Sequence, residues 1–371
     1  MHEDLASILT TERLALNERR PFMPFLAFVA LFTVSLSSLV ASEVYPGKNW
    51  DFIEEPESVG FSNVMLKKAK RIFEGMDSNA FIVVYKGQLL ISWGNTDEKL
   101  DVFSVRKSFL SSLFGIFSET GQIDLNASLG ALGIDEDDKL TETEKSARII
   151  DLLRSRSGVY HPAAYTSFKK TIQRPDRGSY KPGEYWFYNN WDFNTLATIF
   201  HQLTEIDIFS AFYKKIAKPI GMQDFKTSDG RFHKEYLSRY PAYPFRVTAR
   251  DMARFGLLFA RSGRWRGNQI IPEAWIREST RTHSITSRRN SKSVGYGLMW
   301  WTVRPGRRHF KNRLGDDAFS ARGNGGQFII VAPSLNIVAV HTTDWKWTKK
   351  KVKAGQVGKL LRAVLKAKIS N

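Results

Sequence analysis

Strand-forming sequence is concentrated near the two ends of this chain, with a long and mainly helical stretch between them, and that arrangement limits the fold more than any other feature. Residues 81–85 and 89–93 are rich in β-branched and aromatic side chains and are joined by Lys86-Gly87-Gln88, the pattern of a hairpin. Comparable runs return at 295–303, 327–331 and 337–342. Strands need partners, so the early and late runs are expected to pair. The spacing predicts an α/β protein of the α+β type, with an antiparallel sheet formed by both termini, flanked by helices, and a mainly helical insertion. The expected division is residues 43–120 and 226–371 for the α/β domain and 121–225 for the insertion.

Apolar periodicity places helices at 66–73 and at 105–117, the second one buried and stopped near Gly121. Thr141 with Glu144 fits a capping box opening a helix through Leu152-Leu153 that ends at Gly158. Phe193, Leu196, Ala197, Phe200 and Leu203 share one face of a further helix, with Asn190 or Asp192 as its cap. A basic terminal helix carries Val357, Leu360, Leu361, Val364 and Leu365 on its apolar face.

Residues 21–41 carry no charge and follow Arg19-Arg20, the order of an export signal, with Ala41 and Ser42 as small residues for cleavage. The length also suits a single membrane anchor. The protein is therefore expected to be exported, periplasmic or secreted, with membrane contact through this segment if it is retained. Met23 is an alternative start to Met1.

Cysteine is absent, which excludes disulfides, thiolate metal sites and a cysteine nucleophile. The seven histidines show no H-E-x-x-H spacing, so neither metal nor cofactor is expected. The formal charge of +18 raises the question of nucleic acid, but the basic residues are dispersed and no nucleic-acid motif accompanies them. A small-molecule substrate is the expected partner, and the sequence leaves the oligomeric state open.

Hydrolysis by a serine requires a nucleophile, a base, oxyanion donors and an acid for the leaving group. Ser104-Val105-Arg106-Lys107 opens the buried helix, and a spacing of three puts Ser104 and Lys107 on one face. A second S-x-x-K, Ser167 to Lys170, lies in a polar stretch and serves as the contrast. Tyr188-Asn189-Asn190 is the sole Y-x-N and precedes a helix, offering a phenol for proton exchange and an amide for orientation. Gly323-Asn324-Gly325-Gly326-Gln327 runs into a strand, where glycine lets a ligand approach the backbone.

In that order the three elements resemble the serine β-lactamase and penicillin-binding superfamily, in its class C-like branch with esterases, D-amino-acid peptidases and 6-aminohexanoate-oligomer amidases. The stretch from Asp151 to Tyr160 (DLLRSRSGVY) is similar as well. The resemblance implies that Ser104 is acylated, Lys107 is its base or proton relay, and Tyr188 shuttles a proton. It also implies that Asn190 orients Lys107 or the substrate, and that the N–H of Ser104 and one near Asn324 or Gly325 hold the oxyanion. Tyr160, His161 and Tyr165 are candidates for the acyl pocket, whereas Trp186 and Trp191 read as core or pocket wall.

One departure bears on substrate. No K-x-G or H-x-G precedes the strand at Phe328, and Arg322 is the only nearby replacement cation. An amide or ester hydrolase is thus the leading expectation, a β-lactamase or D-alanyl-D-alanine carboxypeptidase the alternative, and a catalytically silent envelope-binding protein the second alternative. A classical α/β-hydrolase is disfavoured by the absence of G-x-S-x-G.

Overall fold

The computed structural model describes residues 43–286, 294–303 and 314–369. The leader-like segment 21–41 lies outside them, and no described helix is long and apolar enough to cross a membrane.

Ala80–Tyr85 (β1) and Gln88–Gly94 (β2) form the expected hairpin, with Lys86 and Gly87 both at positive φ (51° and 95°) as a tight two-residue turn requires. Six later strands join them: Ser284–Ile285 (β3), Gly295–Tyr296 (β4), Trp301–Thr302 (β5), Phe319–Gly323 (β6), Gln327–Ala332 (β7) and Ile337–Thr342 (β8). Their lateral order is β2-β1-β8-β7-β6-β5-β4-β3, and every pairing is antiparallel. The first strand therefore lies beside the last, and the sheet draws on both ends of the chain.

Two strand expectations need correction. The run 295–303 is two short strands rather than one, because Met299 turns the chain through the left-handed region (φ 62°). β6 was not expected at all, and it proves to be the strand beside the catalytic candidates.

The sheet is apolar on both faces because helices cover both. Ile82, Val84, Ile329, Val331, Val338 and Val340 face one core, shared with Arg106–Glu119 (α2), Asn190–Thr204 (α6) and Ala249–Ala260 (α7). The alternate residues Phe81, Val83, Phe328, Ile330 and Ala339 face a second core closed by Asn63–Glu74 (α1) and Ala354–Lys366 (α9). Each Val, Ile or Phe among them contributes about 1.5–3 kcal/mol by leaving water.

Between these lie the shorter helices Glu142–Lys145 (α3), Ile149–Leu153 (α4), Phe168–Ile172 (α5) and Trp345–Thr348 (α8). The capping box at Thr141 and Glu144 is present, yet α3 ends at Lys145 and does not continue to Gly158. α4 starts afresh after Arg148, whose backbone N–H donates to Asp151 Oδ2 at 3.1 Å. The cap of α6 is Asn189, not Asn190 or Asp192: its Oδ1 accepts from the Trp191 N–H at 3.3 Å.

Candidate active site

Ser104 lies in a short 3-10 turn, Phe103–Val105, that feeds directly into α2. The helix is pinned from beneath, since the Ser108 and Ser111 hydroxyls donate to the carbonyls of Met299 (2.9 Å) and Leu298 (2.7 Å) between β4 and β5. Phe103, just ahead of the serine, is held at φ 49° between the rings of Tyr165 and Trp345. Such a backbone is uphill for a residue with a β-carbon, so its surroundings must impose it.

One turn along, Lys107 Nζ donates to Ser104 Oγ at 2.8 Å. The lysine is 1 % exposed and its ammonium lies 5.0 Å from the ring centre of Tyr188 and 4.8 Å from that of Phe193. Burial lowers its proton affinity well below the usual lysine value, and the Arg106 charge lowers it further. Burial pushes the Tyr188 phenol up to about 12, opposed by its interaction with the Ser104 hydroxyl and by the Arg106 charge. The serine thus has an amine bonded to its oxygen and a phenol beside it.

Tyr188 is held from both sides along its backbone. The Ser155 hydroxyl donates to the Phe187 carbonyl at 2.5 Å and accepts from the Asn189 N–H at 3.2 Å. Asn189 Nδ2 then donates to the Val159 carbonyl and to Asp192, which also accepts from Ser157. The ring stacks on Trp301 (5.5 Å) and meets Tyr296 and Phe193 edgewise or tilted. The segment 151–160 therefore acts as the clamp for the phenol.

Arg106 is the residue that the sequence reading passed over. It is 1 % exposed, lies between the rings of Tyr165 (5.3 Å) and Tyr243 (4.7 Å), and donates through Nη1 to the Phe103 carbonyl at 3.2 Å. Its Nε and Nη2 have no partner, and among the described residues no carboxylate bonds to Arg106 or Lys107. Two adjacent buried cations without a counterion cannot both stay charged cheaply; a guanidinium keeps its proton, so the amine yields. The signal was present in the sequence, because Arg106 lies three residues before Phe109 and four before Leu110, on the apolar face.

This arrangement carries a pH prediction. A neutral Lys107 is able to accept the Ser104 proton, so activity is expected to rise as pH climbs through the lysine's titration. In Arg106→Gln the lysine holds its proton more tightly, and the acid limb of the kcat/KM profile moves to higher pH. Activity at pH 7 falls by roughly tenfold and recovers in alkali. A uniformly reduced profile with its limb unmoved would give Arg106 a packing role only.

The strand edging the site is β6. A β-carbon on Gly323 would lie 2.3 Å from the Val102 carbonyl oxygen, so glycine alone lets this strand pass flush against the turn holding Ser104. Asn324 and Gly325 lie beyond it, in the bend to β7, and are committed there. Asn324 Oδ1 accepts from the Gly325 N–H (3.0 Å), and Gly325 (φ 86°) packs under the Trp345 indole with its carbonyl bonded to Val352 N–H and Thr343 Oγ1. The Gly325 N–H is consequently occupied, which removes it as an oxyanion donor in this conformation. Arg322, half-buried on β6, lies 5.2 Å from the Trp301 ring and donates to Ser320 Oγ at 2.9 Å, one ring away from Tyr188.

The remaining candidates are elsewhere. Asn190 Nδ2 donates to the Tyr165 carbonyl (2.8 Å) and to Thr166 Oγ1 (3.3 Å), so its amide positions the 165–166 loop rather than Lys107. His161 is buried, facing Asp138 at 3.1 Å and Glu144 at 3.6 Å in a cluster that also takes Arg177. It is therefore a buried member of that polar cluster rather than an acyl-pocket wall. Tyr160 packs on Phe187 (6.1 Å) with its hydroxyl buried and unpartnered. Tyr165, by contrast, does reach the site through Phe103 and Arg106. Lys170, from the second S-x-x-K, also approaches it: its ammonium lies 5.4 Å from the Phe187 ring and 5.7 Å from that of Tyr188. Among the described residues no group of three or more histidines or carboxylates is placed to hold a metal ion.

Residues 69–360 match the family model described as Beta-lactamase. Similar solved structures include a protein of Bacillus anthracis described as a 6-aminohexanoate-dimer hydrolase, at 20% identity and TM-score 0.63, covering 80% of this chain and 81% of that one. A family VIII carboxylesterase shares 14% identity and a TM-score of 0.61, covering 83% of this chain and 99% of the other. A class C beta-lactamase solved with cefoxitin shares 14% identity and a TM-score of 0.60 over 82% and 99% of the two chains. No curated protein sequence matches significantly.

Proposed function

Because the chain belongs to the beta-lactamase family, whose model spans most of its length, we propose that it is an exported serine hydrolase cleaving an amide or ester through an acyl-enzyme on Ser104. The observation that carries the reading is the 2.8 Å hydrogen bond from the Lys107 amine to the Ser104 hydroxyl, with the Tyr188 ring 5.0 Å from that amine. Neutral Lys107 takes the hydroxyl proton as Ser104 Oγ adds to the carbonyl carbon. The carbonyl oxygen gains negative charge beside the start of α2, where the helix dipole favours it and the Ser104 N–H is the donor the resemblance implies. Tyr188 passes a proton to the departing nitrogen or oxygen and recovers one from Lys107. Water then adds to the ester on Ser104, its proton returning through the same pair, and the acid product leaves.

An ester or amide other than a β-lactam is favoured. β6 and the bend after it carry no K-T-G or H-x-G of the kind lactamases and transpeptidases usually have, and the one cation of the strand, Arg322, lies over Trp301. The rival reading, a β-lactamase or D-alanyl-D-alanine carboxypeptidase, rests on the same serine and lysine. Export through residues 21–41 is part of the proposal.

Intact mass spectrometry after treatment with a fluorophosphonate is expected to show one covalent adduct, and a short-chain nitrophenyl ester is expected to turn over at least about tenfold faster than nitrocefin. No adduct and no ester turnover would remove the serine-hydrolase reading. Faster nitrocefin hydrolysis would hand the site to the β-lactamase alternative.

A further inference from the structure

The five most exposed large apolar side chains among the described residues are Phe168, Ile172, Tyr236, Leu237 and Trp347, at 67 % to 102 % exposure. They are far apart in sequence, yet they belong to three segments that converge on Phe103. The Tyr165 ring, at the head of the first segment, stacks on Phe103, and the Trp345 ring, on the third, lies 5.2 Å from it. The Tyr165 N–H donates to Glu235 Oε1 of the second segment at 2.8 Å. Asp101 ties the second to the third, with Lys346 at 2.8 Å and Arg231 at 4.0 Å.

Charge follows the same distribution. Residues 167–174 hold three lysines and arginines and no acid, 231–239 hold three against Glu235 alone, and 345–353 hold five lysines and no acid. For the whole chain the ratio is only 55 to 37. Isolated aromatic and aliphatic tips, each bracketed by lysine or arginine, are what an anionic bilayer surface selects: rings and aliphatic chains enter the headgroup layer while the cations meet the phosphates. A protein interface is a poorer match, because such surfaces gather apolar area into one patch and are depleted in lysine. A soluble polyanion would account for the cations and leave the five apolar tips unexplained.

We propose that the three segments surrounding Phe103 form a membrane-docking rim that seats the mouth of the Ser104 site on an anionic lipid surface. Docking would present the site to amphipathic substrates at the interface, a role separate from any tether the N-terminal segment supplies.

The test uses the full chain, so that any contribution of residues 21–41 is constant, with vesicles of equal phosphatidylglycerol and phosphatidylcholine. A triple variant, Tyr236→Ser with Leu237→Ser and Trp347→Ser, changes exposed side chains and is expected to keep its melting temperature and its turnover of a water-soluble ester. Its vesicle partitioning is expected to fall by at least about tenfold. Lipids brominated near the glycerol should quench wild-type tryptophan fluorescence, and part of that quenching should vanish in Trp347→Phe. Equal partitioning of wild type and triple variant would overturn the proposal. So would vesicle binding that soluble polyphosphate abolishes with no bromolipid quenching, which would assign the rim to an acidic polymer.

Discussion

Ser104→Ala is expected to lower kcat/KM for a nitrophenyl ester by about 10⁴-fold or more and to abolish the covalent adduct seen by mass. The size follows from what is lost. Without Oγ there is no acyl-enzyme, and the amine bonded to it and the phenol beside it have nothing to activate. What persists is the modest acceleration that binding and the N–H groups at the start of α2 give to direct attack by water. The fold should be unaffected, because Ser104 is partly exposed and its neighbours in the helix are anchored independently through Ser108 and Ser111. A variant that melted like the parent and still formed the adduct would move the nucleophile to another residue.

Lys107→Ala is expected to cost about 10³-fold in kcat/KM, within the range that general-base removal produces. Its effect on stability should have the opposite sign. The wild-type amine is buried beside the Arg106 charge with no carboxylate bonded to either among the described residues, an arrangement that burdens the folded state. Removing it should leave the melting temperature unchanged or raise it, as at sites where activity and stability are in tension. Loss of less than tenfold in activity would show that Tyr188 alone can deprotonate the serine. A sharp drop in melting temperature would show that the lysine is a packing element.

These two residues were legible in the sequence because the information they need is local. A spacing of three on a buried helix brings hydroxyl and amine together whatever the rest of the chain does. Tyr188 required only that the insertion fold back over α2, and the apolar face of α6 ensures this. The sheet was legible for a similar reason, since β1, β2, β7 and β8 are continuous β-rich runs. β6 was hidden because Ser320 and Arg322 interrupt its apolar pattern, and β4 and β5 are too short to show one.

The supporting residues were illegible because their roles depend on tertiary partners. Asn190 sits in the expected motif, but the loop at Tyr165 takes its amide. Nothing in the sequence around His161 indicates that Asp138, Glu144 and Arg177 assemble about it. Gly325 looks like an open approach to the backbone until Trp345 is found lying on it. Arg106 is the instructive case: a charge on an apolar helix face is a conflict between local pattern and burial, and such conflicts concentrate at functional sites.

The pairing of β1 with β8 also governs when this protein can first act. Closing the sheet means joining residues 80–85 to 337–342, a contact of such long range that its entropic cost falls early and its reward late. The Ser104 helix is made long before β6 can come alongside it, so a chain still being synthesised holds Ser104 and Lys107 without the strand that edges them in the finished fold. The proposed chemistry can begin only once the last strand has arrived.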